Sequence, residues 1–300
     1  MSVDGVVLTR DDGGPLALHC LGGDGPPLLI SHATGFHGRC YRAVARNIRE
    51  HTIWALDYRG HGASREAAME PTDWWCFVSD FVLAAQHLAP GGGLRVFGHS
   101  MGAATVIMSA MHQPGLVSSL IAFEPIAPPP SDIDPDTLPI AVRARRRRST
   151  FSSVDTAIEN YASKPPLAAF APKVLDDYVR YGTLTVDDGT GIELACRPSF
   201  EAAVFTSAHR YPLYEHLPDI DLETTVISGI VQDMQPSAFA ATVADRLPNG
   251  RLIHRPDLDH FGPFADPSAV AEIINSLYAQ PSSRCSTSPQ RSHHREWTHS

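Results

Sequence analysis

Gly98-His99-Ser100-Met101-Gly102 follows the apolar run Leu94-Arg95-Val96-Phe97 and precedes the helix-forming run Ala103-Ala104-Thr105-Val106-Ile107-Met108. The segment reads as G-x-S-x-G on a strand-to-helix turn. A turn so tight needs residues without a Cβ beside the serine, so that the helix can fold back on its strand. It holds the Ser100 hydroxyl, strained and exposed, above a helix N-terminus. That arrangement suits nucleophilic attack better than it suits stability.

The pattern around this turn predicts the fold class. Short apolar runs bounded by Gly, Pro or Asp predict strands near Val6–Leu8, Leu16–Cys20, Leu28–Ser31, Ile53–Leu56, Leu94–Phe97, Leu120–Phe123, Thr225–Ser228 and Leu252–His254. Helical patterns fall at Tyr41–Arg49, Trp74–Leu88, Ala103–His112, Ser237–Arg246 and Ser268–Tyr278, with Thr72-Asp73 capping the second. An antiparallel start followed by alternation of strand and helix predicts an α/β fold, a mostly parallel sheet with helices on both faces. The alternation breaks after Glu124. From Pro125 to about Tyr214 helix formers and prolines dominate, and no strand is convincing. This predicts a helical lobe over the strand ends, hinged at Pro128-Pro129-Pro130 and near Pro212. The expected division is a core of residues 1–125 and 215–280, a helical cap of 126–214 and a disordered tail of 281–300.

Composition bounds the partners. A net charge of −9 argues against nucleic acid, and no apolar stretch approaches the roughly 20 residues that span a bilayer. The N-terminus lacks a basic region followed by an apolar one, so no secretory signal is visible. Five scattered cysteines without a C-x-x-C pair fit reduced thiols in the cytoplasm. The expected partner is a small molecule, with no membrane association; a homo-oligomer is compatible with the chain. No His spacing gives H-E-x-x-H, so no metal is expected, and His293, His294 and His299 form a metal cluster only if the tail folds.

A serine nucleophile needs a base, and the base needs an orienting acid. Among fifteen histidines, His260 in Asp259-His260-Phe261-Gly262-Pro263 stands out, because it falls between the last strand and the C-terminal helix. Two acids compete. Asp233, just past the penultimate strand, gives the chain order Ser, Asp, His and is preferred; Glu124, at the end of the strand after the Ser100 helix, is the alternative. Backbone donors for an oxyanion are expected from Met101 at the helix N-terminus and Thr34 in the loop Ser31–Phe36.

His32-Ala33-Thr34-Gly35, Asp57-Tyr58-Arg59-Gly60-His61-Gly62, the Gly98–Gly102 turn and His260-Phe261-Gly262-Pro263 together resemble the α/β-hydrolase superfamily, over about residues 1–125 and 215–280. The resemblance implies an eight-stranded sheet, a cap inserted after the sixth strand, a Ser–His–acid triad and no cofactor. The sequence departs from the family at the acid: the usual G-x-x-D is one residue longer from Gly229 to Asp233. Some capped members carry the acid after the sixth strand, the position of Glu124. Ser100 in place of Asp separates the chain from haloalkane dehalogenases and epoxide hydrolases, and the HGGG loop of many esterases is absent.

Other motifs read as structural. Asp57 to Gly62 shapes a turn, Arg143 to Arg148 forms a solvated face with one arginine available to a substrate carboxylate, and Trp74, Trp75 and Phe77 pack a helix. The function expected is cleavage of a small or medium carboxylic ester, lactone or thioester through an acyl-enzyme. C–C bond hydrolysis and cofactor-free perhydrolysis use the same machinery. The non-enzymatic alternative is a ligand receptor on a hydrolase scaffold.

Overall fold

The computed structural model describes residues 5–65, 70–71, 73–186, 189–208, 210–233 and 235–279. The expected tail with Cys285 and its histidines, and the capping residue Thr72, lie outside them. The strands are β1 (Gly5–Thr9), β2 (Pro15–Gly23), β3 (Pro27–Ser31), β4 (Thr52–Leu56), β5 (Leu94–His99), β6 (Val117–Phe123), β7 (Thr150–Phe151), β8 (Thr183–Thr185), β9 (Ile192–Leu194), β10 (Glu223–Ser228) and β11 (Gly250–His254). The helices are α1 (Arg42–Ala45), α2 (Trp75–Leu88), α3 (Met101–His112), α4 (Pro139–Arg145), α5 (Val154–Ala162), α6 (Pro172–Gly182), α7 (Pro198–Ser207), α8 (Leu213–His216), α9 (Ala240–Arg246), α10 (Gly262–Ala265) and α11 (Pro267–Tyr278).

Eight strands form one sheet in the order β1-β2-β4-β3-β5-β6-β10-β11. β2 runs antiparallel to β1 and β4, and every other pair is parallel. Both faces of the parallel strands are covered, which is why they read as nearly continuous apolar runs. Alternate residues serve opposite faces. Leu29, Val96 and Val226 join the core with Phe77 and Phe81 of α2 and Val106 of α3. Leu28, Ile30, Phe97 and Ile227 join the second core with Val44 of α1 and Val270 and Ile274 of α11. All eight expected sheet strands are present, several of them longer than their apolar runs.

Two local expectations need correction. The helix expected over Tyr41–Arg49 reduces to α1. A 3-10 turn, Gly38–Tyr41, precedes it, and Asn47 and Ile48 N–H reach back only three residues after it. The segment between β6 and β10 is not purely helical. Besides α4 to α8 it holds an antiparallel sheet in the order β7-β9-β8. Those strands are two or three residues long, too short for a period-two pattern to appear in the sequence. Among the described residues no helix is long and apolar enough to cross a membrane.

Leu29 is fully buried between β4 and β5. Leu29→Ala is expected to lower the unfolding free energy by about 2–5 kcal/mol in urea titrations, and a loss below about 1 kcal/mol would contradict this packing.

Candidate active site

The turn between β5 and α3 has the strain its sequence implies, but Ser100 is buried, at 6% exposure, and not exposed as expected. Ser100 lies at φ 56° and ψ −118°. Among the described residues only Glu50, Ser100 and Glu124 combine positive φ with a side chain. The flanking glycines answer close contacts. A Cβ on Gly98 would press on the Ala103 backbone, and one on Gly102 would overlap the Ser31 carbonyl. Ser100 N–H donates to the Phe123 carbonyl at 2.9 Å, fixing the tip of the turn to the end of β6.

Glu124 is the next residue after β6 and is fully buried. Its Oε2 lies 2.7 Å from His260 Nδ1, and its Oε1 accepts from Gly229 N–H at 2.8 Å. His260 is 17% exposed at its side chain. The carboxylate on His260 is therefore Glu124, the alternative, and not Asp233. Asp233 lies exposed in a turn, beyond the solvent-facing Ile230 and Val231. The physical reason lies at Gly229: its amide holds Glu124, and a side chain there would meet the Leu258 carbonyl and Glu124 Oε1. The glycine of the expected G-x-x-D pattern seats the acid of the neighbouring strand. An acid directly after the apolar run Leu120-Ile121-Ala122-Phe123 was the signal available in the sequence.

Within Ala33–Phe36 of the loop after β3, only Thr34 has an N–H without an acceptor among the described residues. Ala33 N–H donates to Tyr41 Oη at 3.2 Å, Gly35 N–H to His61 Nε2 at 3.1 Å, and Phe36 N–H to the Ala33 carbonyl at 3.2 Å. Thr34 N–H, between them, has no protein acceptor among the described residues. Met101 N–H opens α3, where helix geometry leaves it unpaired and the helix dipole favours negative charge.

The remaining motifs are structural. Asp57 accepts from Gly38 N–H at 2.7 Å and Ala63 N–H at 2.8 Å and contacts His19 Nε2 at 2.9 Å. Burial opposes its ionisation, but the contact with His19 holds its carboxyl well below the usual range. Arg59 is paired to buried Asp80. Of the arginine run, Arg147 turns inward onto Glu201 at 2.9 Å and onto the Tyr161 and Tyr178 hydroxyls, while Arg143, Arg145, Arg146 and Arg148 are exposed. Trp74 is buried, its indole N–H donating to the Val204 carbonyl, and Asp73 accepts from Trp75 N–H at the start of α2. Among the described residues no group of three His, Cys, Asp or Glu side chains converges as metal ligands would.

Buried histidines, His32 and His37 among them, make the fold acid-sensitive. His32 Nδ1–H donates to the Ala33 carbonyl, and its Nε2 accepts from Tyr58 N–H. Burial lowers His32 to about 3 and His37 to about 4, so both are neutral when folded. Unfolded imidazoles titrate near 6.5, so the unfolded chain binds the extra protons as pH falls. Stability is complete above about pH 6.5 and declines toward the folded values, by about 2 kcal/mol per histidine between pH 7 and 5. Urea unfolding across that range measures it, and a flat profile would contradict neutral burial.

With the geometry in place, the relatives are informative. A family model described as the alpha/beta hydrolase family matches residues 28–273. Monoglyceride lipase of Homo sapiens is 32% identical over 104 residues, 33% of this chain and 34% of that protein. The chain thus matches only about a third of the length of that lipase. A Mycobacterium tuberculosis protein provisionally named non-heme bromoperoxidase BpoC is 25% identical over 281 residues, 86% of this chain and 95% of its own. Among solved structures, E-2-(acetamidomethylene)succinate hydrolase superposes with TM-score 0.75 at 20% identity, covering 91% of this chain and 98% of that one. The thioesterase domain from the curacin biosynthetic pathway gives 0.72 at 18% identity, covering 91% and 99%. At such identity a structural likeness speaks to the fold. The span of the family match decides the rest: this chain belongs to the alpha/beta hydrolase family.

Proposed function

We propose that this protein is a serine hydrolase that cleaves a small or medium carboxylic ester through an acyl-enzyme. The observation that carries this reading is the 2.7 Å contact between His260 Nδ1 and the buried Glu124, beside a serine held at positive φ. Ser100 Oγ attacks the acyl carbon and passes its proton to His260 Nε2. Glu124 accepts the Nδ1–H bond, which sets the tautomer and stabilises the imidazolium. Thr34 N–H and Met101 N–H donate to the oxyanion as the carbonyl π-bond becomes an O⁻ lone pair. Collapse expels the alcohol, which takes the proton from His260. Water, deprotonated in turn by His260, attacks the acyl carbon; the bond to Ser100 Oγ breaks, Oγ takes the proton back from His260, and the acid is released.

The insert between β6 and β10 sets the substrate in this reading, as a cap. Lactones and thioesters meet the same chemistry, so selectivity belongs to insert side chains. The names of the relatives support the class: one is a lipase by name and one fold neighbour a thioesterase domain. Four described cysteines are free thiols, in keeping with a reducing, cytoplasmic setting.

Three variants assayed on p-nitrophenyl esters test the assignment. Ser100→Ala is expected to abolish turnover and fluorophosphonate labelling while remaining folded. Glu124→Gln is expected to lower kcat by roughly a thousandfold or more, with Asp233→Asn within about threefold of wild type. The large loss appearing in Asp233→Asn instead would overturn the acid assignment, and full activity of Ser100→Ala would overturn the nucleophile.

A further inference from the structure

Apart from Glu124, the residues assigned above sit on three separate segments: Ala33–Gly35 after β3, the turn from His99 at the end of β5 to Met101 at the start of α3, and Asp259–Phe261 after β11. One buried hydrogen-bond chain crosses all three. Tyr41 and His99 are both fully buried. Ala33 N–H donates to Tyr41 Oη at 3.2 Å, Tyr41 Oη lies 2.8 Å from His99 Nδ1, and His99 Nε2 lies 2.9 Å from the His260 carbonyl oxygen.

The chemistry of the end groups fixes every direction. A carbonyl only accepts, so His99 carries its proton on Nε2 and donates to His260. Burial keeps this imidazole neutral, pushing it well below its ordinary value, so Nδ1 is an acceptor and the Tyr41 hydroxyl donates to it. Burial also pushes the Tyr41 phenol up, which keeps that proton in place. The Tyr41 oxygen is then left to accept from Ala33. Phe123 and Phe264 pack on the His99 ring at centroid distances of 5.4 and 5.5 Å, an apolar wall that keeps out water able to replace a lost partner.

We propose that Tyr41 and His99 are positioning residues, holding the Thr34 donor, Ser100 and His260 in one register through this chain. Its effect on rate rests on the serine-hydrolase reading; its effect on the loops does not. Each link is local, yet together they set the relative placement of donor, nucleophile and base. A displacement of about 1 Å among reacting groups costs on the order of a hundredfold in rate.

Tyr41→Phe removes one hydroxyl and keeps the ring in the core. His99→Phe removes both polar ends of the ring, and His99→Gln keeps one acceptor and one donor. Amide exchange is read on peptides covering residues 32–37 and 258–264, and kcat and KM on p-nitrophenyl butyrate. In Tyr41→Phe, with an intact far-UV spectrum and thermal transition, exchange in both loops is expected to rise and kcat to fall about 10- to 100-fold, with KM within about threefold. His99→Gln is expected to recover most of what His99→Phe loses. Unchanged exchange in both loops of Tyr41→Phe overturns the proposal, as does kcat within twofold of wild type, or His99→Gln no better than His99→Phe. If wild type neither turns over esters nor labels with fluorophosphonate, the hydrolase reading fails, and the exchange data alone decide the chain.

Discussion

The Glu124 carboxylate is the interaction on which the site depends. It is fully buried, and a charge in that position is costly without partners. Its two oxygens are divided between Gly229 N–H and His260 Nδ1, so it ties the end of β6 to the loops after β10 and β11. Those loops are also joined to each other, Ile230 N–H donating to the Leu258 carbonyl at 2.6 Å. Parallel pairing of β6 with β10, and of β10 with β11, brings all three carboxyl ends to one edge of the sheet. The acid is thus satisfied only when the sheet has its native register, and fold and site are specified together.

Strain is concentrated at the same edge. Ser100 and Glu124 both hold positive φ, a conformation that costs on the order of 1 kcal/mol or more for a residue with a side chain. They are coupled, because Ser100 N–H is bonded to the Phe123 carbonyl, the peptide that leads into Glu124. The glycines at 98 and 102 let α3 close on β3 and β5, and that packing supports the strained serine.

The main sheet was legible because buried parallel strands declare themselves as apolar runs, and the Ser100 turn because few sequences answer its steric demands. The acid was not settled by pattern. Chain order favoured Asp233, whereas the carboxylate in contact with His260 Nδ1 is Glu124, held by the Gly229 amide, which no spacing rule reports. The strands of the insert were hidden by their length. Arg147 was indistinguishable from its neighbours in Arg143 to Arg148, since its direction depends on Glu201, Tyr161 and Tyr178, residues far along the chain.

In the proposed mechanism Ser100, His260, Thr34 and Met101 converge on one reacting centre. A crystal structure of the protein after reaction with a fluorophosphonate tests it most directly. The expected result is a phosphoryl group on Ser100 Oγ, with one oxygen about 2.7–3.1 Å from both Thr34 N and Met101 N and His260 still bonded to Glu124. An adduct on another residue, or a phosphoryl oxygen turned away from both amides, would contradict it.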